Sequence, residues 1–251
     1  MIDRTAASDV ERDEHIERHN QYQRDYFGRR IKRTMRPGPS RHLQRQIEAA
    51  ISFGDLRPGE LILDVGCGMG RHAFLLAERG FRVEGLELSP FLIERLRHYD
   101  GGRYQITVHC GDIHRCPKEL YGRYDALVGF FVLHHLADLE RAFMEMAKLL
   151  RPGGRVIFIE PNPYNPLYYL QILITPGMSW QAEKGLLKMR AEVISSAMRK
   201  ARLKLTAISR YGFLPPFLAN RSCGAKLETR LEKVSLWRGL LPFQIFRGDL
   251  A

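Results

Sequence analysis

An α/β fold built on a mostly parallel sheet is what this chain predicts, and three observations carry the prediction. Apolar strand patterns recur along its middle, helical periods fill most of the gaps between them, and the first strand runs directly into three alternating glycines. Repeated strand–crossover–strand units make a parallel sheet, with ligand chemistry gathered at the carboxyl ends of the strands.

The first strand is Leu61, Ile62, Leu63, Asp64 and Val65, apolar enough to be covered on both faces. Gly66, Gly68 and Gly70 then let the backbone turn tightly and approach a ligand with no Cβ in the way. The helical pattern from Arg71 to Arg79 aims its free N–H groups and positive dipole end at the same place. A second strand pattern, Phe81 to Glu87, ends in a carboxylate 23 residues after Asp64, where a nucleotide ribose would be held through its hydroxyls. A third, Gln105 to Cys110, ends at Gly111-Asp112-Ile113; a fourth is Tyr124 to Phe130; a fifth is Gly154 to Glu160, after Leu150-Arg151-Pro152-Gly153.

The flanks read as helices and additions. Val10 to Phe27 is a polar helix with a thin stripe at Ile16, Tyr22, Tyr26 and Phe27. Pro37-Gly38-Pro39 breaks the chain, and Ser40 caps a helix through Leu43, Ile47 and Ile51. Prolines 161, 163 and 166 stiffen a loop that leaves a strand end, which makes Asn162, Tyr164 and Asn165 candidates for an acceptor pocket. Leu167 to Ile174 is strongly apolar: a pocket wall, core, or a subunit contact. A helix is expected over Leu186 to Lys200, a strand over Leu203 to Ser209, an aromatic turn from Gly212 to Pro216, and a last strand over Leu241 to Arg247.

The series Asp64-Val65-Gly66-Cys67-Gly68-Met69-Gly70, Glu87-Leu88-Ser89, Gly111-Asp112-Ile113, Phe131-Val132-Leu133-His134-His135-Leu136 and Leu150-Arg151-Pro152-Gly153-Gly154 resembles the class I S-adenosylmethionine-dependent methyltransferases. The nearest look is the small-molecule, quinone-type (methyltransferase type 11-like) branch, over roughly residues 56–162. The resemblance implies a Rossmann-like, doubly wound, mostly parallel seven-stranded sheet whose last two strands extend it, one of them antiparallel. It implies S-adenosyl-L-methionine as cofactor and no metal. Asp64, Gly66, Cys67, Gly68 and Gly70 match the segment that cradles the methionine part, and Glu87 with Leu88 matches the ribose carboxylate. Asp112 and Ile113 match the adenine site, and Phe130 the floor between cofactor and acceptor. The family's more usual acid at the start of that floor is Phe131 here, which implies a more apolar surface. An N-terminal lid over residues 1–55 and a cofactor-binding domain over 56–251 are expected, with 161–202 the acceptor region and 203–251 the final strands. Tyr22, Tyr26, Phe27 and Arg33 are lid candidates, and Tyr26 is set beside the acceptor.

A sulfonium donor leaves as a neutral thioether, so only the acceptor's proton needs help. A hydroxyl acceptor makes the reaction an O-methylation, and a positioned base is worth roughly 10²–10⁴-fold. His134 and His135 stand just after the fourth strand, with His135 preferred. His15 and His19 share a helix face and read as solvated, two ligands being too few for a metal.

Composition bounds the rest. The net charge is +11, with the central residues 61–180 neutral and residues 181–251 carrying +9. Residues 29–45 hold seven Lys or Arg and no acid. Such flanks attract RNA, an anionic membrane or an acidic small substrate, or simply solubilise. No apolar run reaches the roughly 18–20 residues of a membrane span. The charged first 30 residues hold no secretory core, and four cysteines show neither zinc pairing nor a disulfide framework, which points to a cytoplasmic chain, monomer or homodimer. A greasy or aromatic small-molecule acceptor is expected, and nucleic acid is not. The rivals are an RNA or other anionic-substrate methyltransferase, a nicotinamide oxidoreductase (whose usual Gly-x-Gly-x-x-Gly spacing differs), and a non-catalytic cofactor-binding protein.

Overall fold

The computed structural model describes residues 4–29, 31, 35–174, 180–212, 221–232 and 234–251. Seven strands form one sheet in the order β3-β2-β1-β4-β5-β7-β6. They are β1 (Leu61–Val65), β2 (Arg82–Glu87), β3 (Thr107–Cys110), β4 (Tyr124–Phe130), β5 (Leu150–Pro161), β6 (Leu203–Tyr211) and β7 (Phe243–Leu250). The first five pair in parallel, and β7 slots antiparallel between β5 and β6. The strand order reverses between β1 and β4, and that switch point opens a crevice at their carboxyl ends.

Helices cover both faces. On one side α2 (Arg41–Gly54) and α3 (Ala73–Glu78) share a core with Ile62, Ala126, Val128, Ile157 and Ile245. On the other, α5 (Leu139–Leu149) and α8 (Ala191–Lys200) pack on Leu63, Leu127, Val156, Phe158 and Phe246. Every residue of β4 is buried, as its near-continuous apolar run requires of a central parallel strand. Ser40 caps α2 as expected, its hydroxyl accepting from Leu43 N–H, and Ser89 does the same for α4 (Pro90–Asp100).

Three expectations change. Among the described residues of 1–55, α1 (Arg4–Arg29) touches the loops after β3 and β4 through Asn20 and His19, while α2 is a layer helix, because Leu43, Ile47 and Ala50 are buried in the sheet core. The helix expected over Leu186 to Lys200 splits at Arg190, whose ψ of 140° is extended, into a 3₁₀ turn (Lys184–Met189) and α8. The apolar stretch after Pro166 forms α6 (Pro166–Ile174), which turns Ile172 inward and leaves Leu167, Leu170 and Leu173 exposed. The short α7 (Trp180–Glu183) follows, and α9 (Ser222–Leu231) lies before β7. Among the described residues no helix is long and apolar enough to cross a membrane.

Candidate active site

The turn after β1 is built from left-handed positions that favour glycine. Gly66, Gly68 and Gly70 have φ of 70°, 55° and 85°. A Cβ on Gly66 would sit 2.5 Å from Val132, and one on Gly70 would sit 2.6 Å from Phe74, so these two serve packing. A Cβ on Gly68 would meet nothing within 4 Å. A side chain there would point into open space, while the Gly68 N–H is donated to Glu87. Cys67 points the other way: its sulfur packs against Gly85, and burial pushes its thiol far up, so it fills the core.

Around that opening the acids are under electrostatic stress. Asp64, at the end of β1, is buried and its Oδ2 has no hydrogen-bond partner. Burial, with the nearby Glu87 charge, pushes its carboxyl up to about 8 against the opposing pull of Arg71. Burial likewise brings Arg71 down to about 10. Glu87, at the end of β2, accepts from Gly68 N–H (2.9 Å) and Ser89 N–H (2.9 Å). Its burial still holds the carboxyl above the usual range, those amides only softening the effect. Leu88 beside it is half-buried. This corner is short of positive charge and organised to receive some.

Asp112 follows β3. It accepts from the backbone N–H of His114 (3.0 Å) and lies 2.6 Å from His114 Nδ1. From α1, Asn20 donates to its other oxygen (2.8 Å). Burial opposes the charge on Asp112, but His114 and Asn20 outweigh it and hold the carboxyl below its ordinary value. Ile113 and Phe130 are buried, and the Phe130 ring stacks on His72 at 3.9 Å. Ion pairs join α1 to the neighbouring loops and helix: Arg12 with Asp138, and Asp13 with Arg115 and Arg141.

A second constellation sits where β4 and β5 end. Phe131 adopts a φ of 60°, a left-handed conformation rare for a bulky residue and the kind of strain that gathers at functional sites. The turn is held by Glu160, the last acid of β5. One of its oxygens accepts from Val132 N–H (2.8 Å) and Leu133 N–H (2.7 Å), and the other lies 2.6 Å from His134 Nδ1. The second ring nitrogen of His134 faces Glu183 at 3.4 Å, and Tyr168 donates its hydroxyl to the same Glu183 oxygen (3.0 Å). Burial alone would lower the imidazole of His134; Glu160 and then Glu183 outweigh it and push it up to about 9. Glu183 is correspondingly held at about 2, its burial overcome by the two histidines and Tyr168. The two acids thus favour the protonated imidazole of His134. The His135 ring lies 4.0 Å from that of His134 and meets Phe27 of α1 edge-on at 5.2 Å. Ring nitrogens of His134 and His135 and a Glu183 oxygen all lie within 4.8 Å of one another.

Several expected residues do other things. Asn162 donates to the carbonyls of Gly239 and Leu241 and accepts from Tyr164 N–H. Asn165 donates to Leu240 and accepts from Tyr168 N–H. Both amides are spent on backbone and fasten the proline loop to the segment before β7, which corrects their assignment to an acceptor pocket. Tyr164 is exposed beneath the Arg210 guanidinium, turned to solvent. Tyr26 stacks on Tyr22 and meets Phe27 edge-on, all three within α1. His15 is exposed as expected, but His19 is half-buried with Nε2 2.6 Å from the His135 carbonyl oxygen, so it belongs to the site. Arg33 and the stretch 213–217 lie outside the described residues. Glu160, Glu183, Asn20 and His19 were missed. Glu160 carried a readable signal, an acid ending an apolar strand as Glu87 does; the other three acquire meaning only through packing.

Residues 63–158 match the sequence profile of a family described as a methyltransferase domain. The chain is 32% identical over 117 residues to a malonyl-[acyl-carrier protein] O-methyltransferase of Serratia marcescens, covering 46% of this chain and 44% of that one. It is 34% identical over 105 residues to a ubiquinone biosynthesis O-methyltransferase of Coxiella burnetii, covering 41% and 44%. The chain thus spans less than half the length of these curated relatives. A geranyl diphosphate C-methyltransferase of Streptomyces coelicolor A3(2), solved with Mg²⁺, geranyl diphosphate and S-adenosyl-L-homocysteine, shares the fold: TM-score 0.61 at 17% identity over 93% of this chain and 98% of that one.

Proposed function

We propose that this chain, whose residues 63–158 carry a class I S-adenosylmethionine-dependent methyltransferase domain, moves the methyl group of S-adenosyl-L-methionine onto a hydroxyl oxygen of a small organic acceptor. The observation that carries the reading is the open space beside Gly68, bracketed by buried Asp64, whose Oδ2 has no hydrogen-bond partner, and by Glu87. A cationic, hydroxyl-bearing nucleoside answers that corner: its ammonium would relieve Asp64, its ribose hydroxyls would meet Glu87, and its adenine would lie by Ile113 and Asp112. The same residues do not answer a dinucleotide, since an anionic pyrophosphate beside Asp64 and Glu87 would add to charge already disfavoured by burial. The two O-methyltransferases among the relatives support oxygen as the acceptor atom.

The cofactor supplies an electrophilic methyl and leaves as a neutral thioether. The chain's part is orientation, worth up to about 7–11 kcal/mol in the best intramolecular cases, together with exclusion of water by α1. The forming C–O bond replaces the C–S bond and the acceptor loses one proton, so sulfonium and alcohol become thioether, methyl ether and H⁺. His135 is the candidate to receive that proton. The strained Phe131 turn and the Glu160 anchor hold it in place. Calorimetry tests the reading: heat with S-adenosyl-L-homocysteine and none with NAD is expected, and the reverse pattern overturns it.

A further inference from the structure

We propose that His134, His135 and Glu183 form the binding site of one divalent first-row transition-metal ion, zinc or a chemically similar cation, beside the acceptor position. Two imidazoles and one carboxylate are a donor set for such ions and leave a fourth position open. The three donor atoms lie within 4.8 Å of one another, and His134 Nε2 and the Glu183 oxygen are 3.4 Å apart. Two ligands at ~2.1 Å from a tetrahedral ion stand ~3.4 Å apart, so this pair already has the required spacing. A ring movement of at most about 1.4 Å brings in the third.

The surroundings look built for ligation. Glu160 engages Nδ1 of His134 at 2.6 Å and presents Nε2 toward Glu183, the carboxylate–histidine arrangement that fixes a ligand's tautomer and orientation. Tyr168 fixes Glu183 by a hydrogen bond. Glycine at 185 lets the segment bearing Glu183 press against the His134 backbone, where a Cβ would come within 1.8 Å of its carbonyl oxygen. The ligands come from two distant stretches of chain, and His134 and Glu183 are buried, unlike the scattered acids of a solvated surface.

The consequence rests on the methyl-transfer reading. His134, His135 and Glu183 would hold the ion, which would supply a Lewis acid at its open position and lower the pKa of an acceptor hydroxyl placed there. His135 would then act as a ligand in the loaded protein and as the proton acceptor only in the metal-free one.

The experiment uses the full chain without an affinity tag, stripped with chelator and reloaded with zinc chloride. Metal analysis after gel filtration is expected to find about one zinc per chain, and X-ray absorption two imidazole ligands and no sulfur. Glu183→Gln and His135→Gln, checked by circular dichroism, are expected to weaken zinc binding by at least ~10-fold in calorimetry. Substoichiometric zinc, sulfur ligation, or wild-type affinity in a folded variant overturns the proposal. Should both variants unfold, wild-type stoichiometry and absorption spectrum decide alone. A parallel titration with S-adenosyl-L-homocysteine separates failure of this site from failure of the cofactor reading.

Discussion

Glu87 spends both carboxylate oxygens on amides of its own chain while burial disfavours its charge. A ligand hydroxyl that reaches it gains a charge-assisted hydrogen bond of about 1.5–3 kcal/mol. Glu87→Ala is therefore expected to weaken S-adenosyl-L-homocysteine binding by roughly 10–100-fold in calorimetry, with an unchanged circular dichroism spectrum. His135 is a different case, held against α1 by its carbonyl contact with His19 and its edge contact with Phe27 and proposed above as the proton acceptor. His135→Ala is expected to lower single-turnover methylation by at least ~10²-fold while leaving cofactor affinity within about twofold. Equal losses in both would make the residue structural. At this scale the placement of the acids was legible: Glu87 ends β2, Asp64 is next to last in β1, and Asp112 lies just beyond β3. His134 was readable as present at the site, but its charge was not, because that depends on Glu160 and Glu183 arriving from 26 and 49 residues away.

The glycine turn separates packing from ligand approach at the level of a single element. Gly66 and Gly68 share a left-handed backbone, yet only Gly66 has a neighbour in the way. Gly68→Ala is expected to cost about 1–2 kcal/mol of stability from backbone strain alone. Gly66→Ala is expected to cost more, since Val132 must also move. Thermal denaturation would rank the two, and calorimetry would show Gly68→Ala losing cofactor affinity beyond its stability change. The lid gives a second expectation. A helix of 26 residues with few buried side chains owes its order to what it touches, and Asn20 on Asp112 is one of those contacts. Asn20→Ala is expected to speed dissociation of S-adenosyl-L-homocysteine in stopped-flow measurements while leaving the melting temperature within a few degrees. Helix existence was plain from the sequence; which helix covers the crevice was not. α2 has the stronger apolar stripe and is drawn into the sheet layer, while the more polar α1 is left to close the site.

For the whole molecule, the stressed corner at Asp64 sets a pH dependence. An ordinary aspartate ionises near pH 4, and in the folded, cofactor-free chain Asp64 does so at about 8. Between those values the folded state holds a proton that the unfolded state has lost, so stability falls as pH rises from about 4 to about 8. Asp64→Asn removes that contribution. The melting temperature of the wild type is expected to drop more steeply than that of the variant between pH 5 and pH 8. Parallel curves would show Asp64 ionised in the fold. The same linkage predicts proton release when a cation binds beside Asp64, visible as a buffer-dependent binding enthalpy at neutral pH.

The order of the seven strands was implied by the family resemblance alone. Strand positions, the glycine turn and the acids near strand ends were set by local chemistry: period-2 and buried-run patterns, glycines where the backbone must turn left-handed, carboxylates beside strand ends. These need only neighbours a few residues away, so the chain displays them in linear form. Folding alone settled the rest. It used Asn162 and Asn165 as fasteners, brought the His19 ring to the His135 backbone, and gathered buried Glu160, Glu183 and His134 beside the half-buried His135. Each of those outcomes depends on which distant backbone or charge lies within hydrogen-bonding range, and no spacing along the chain encodes that distance.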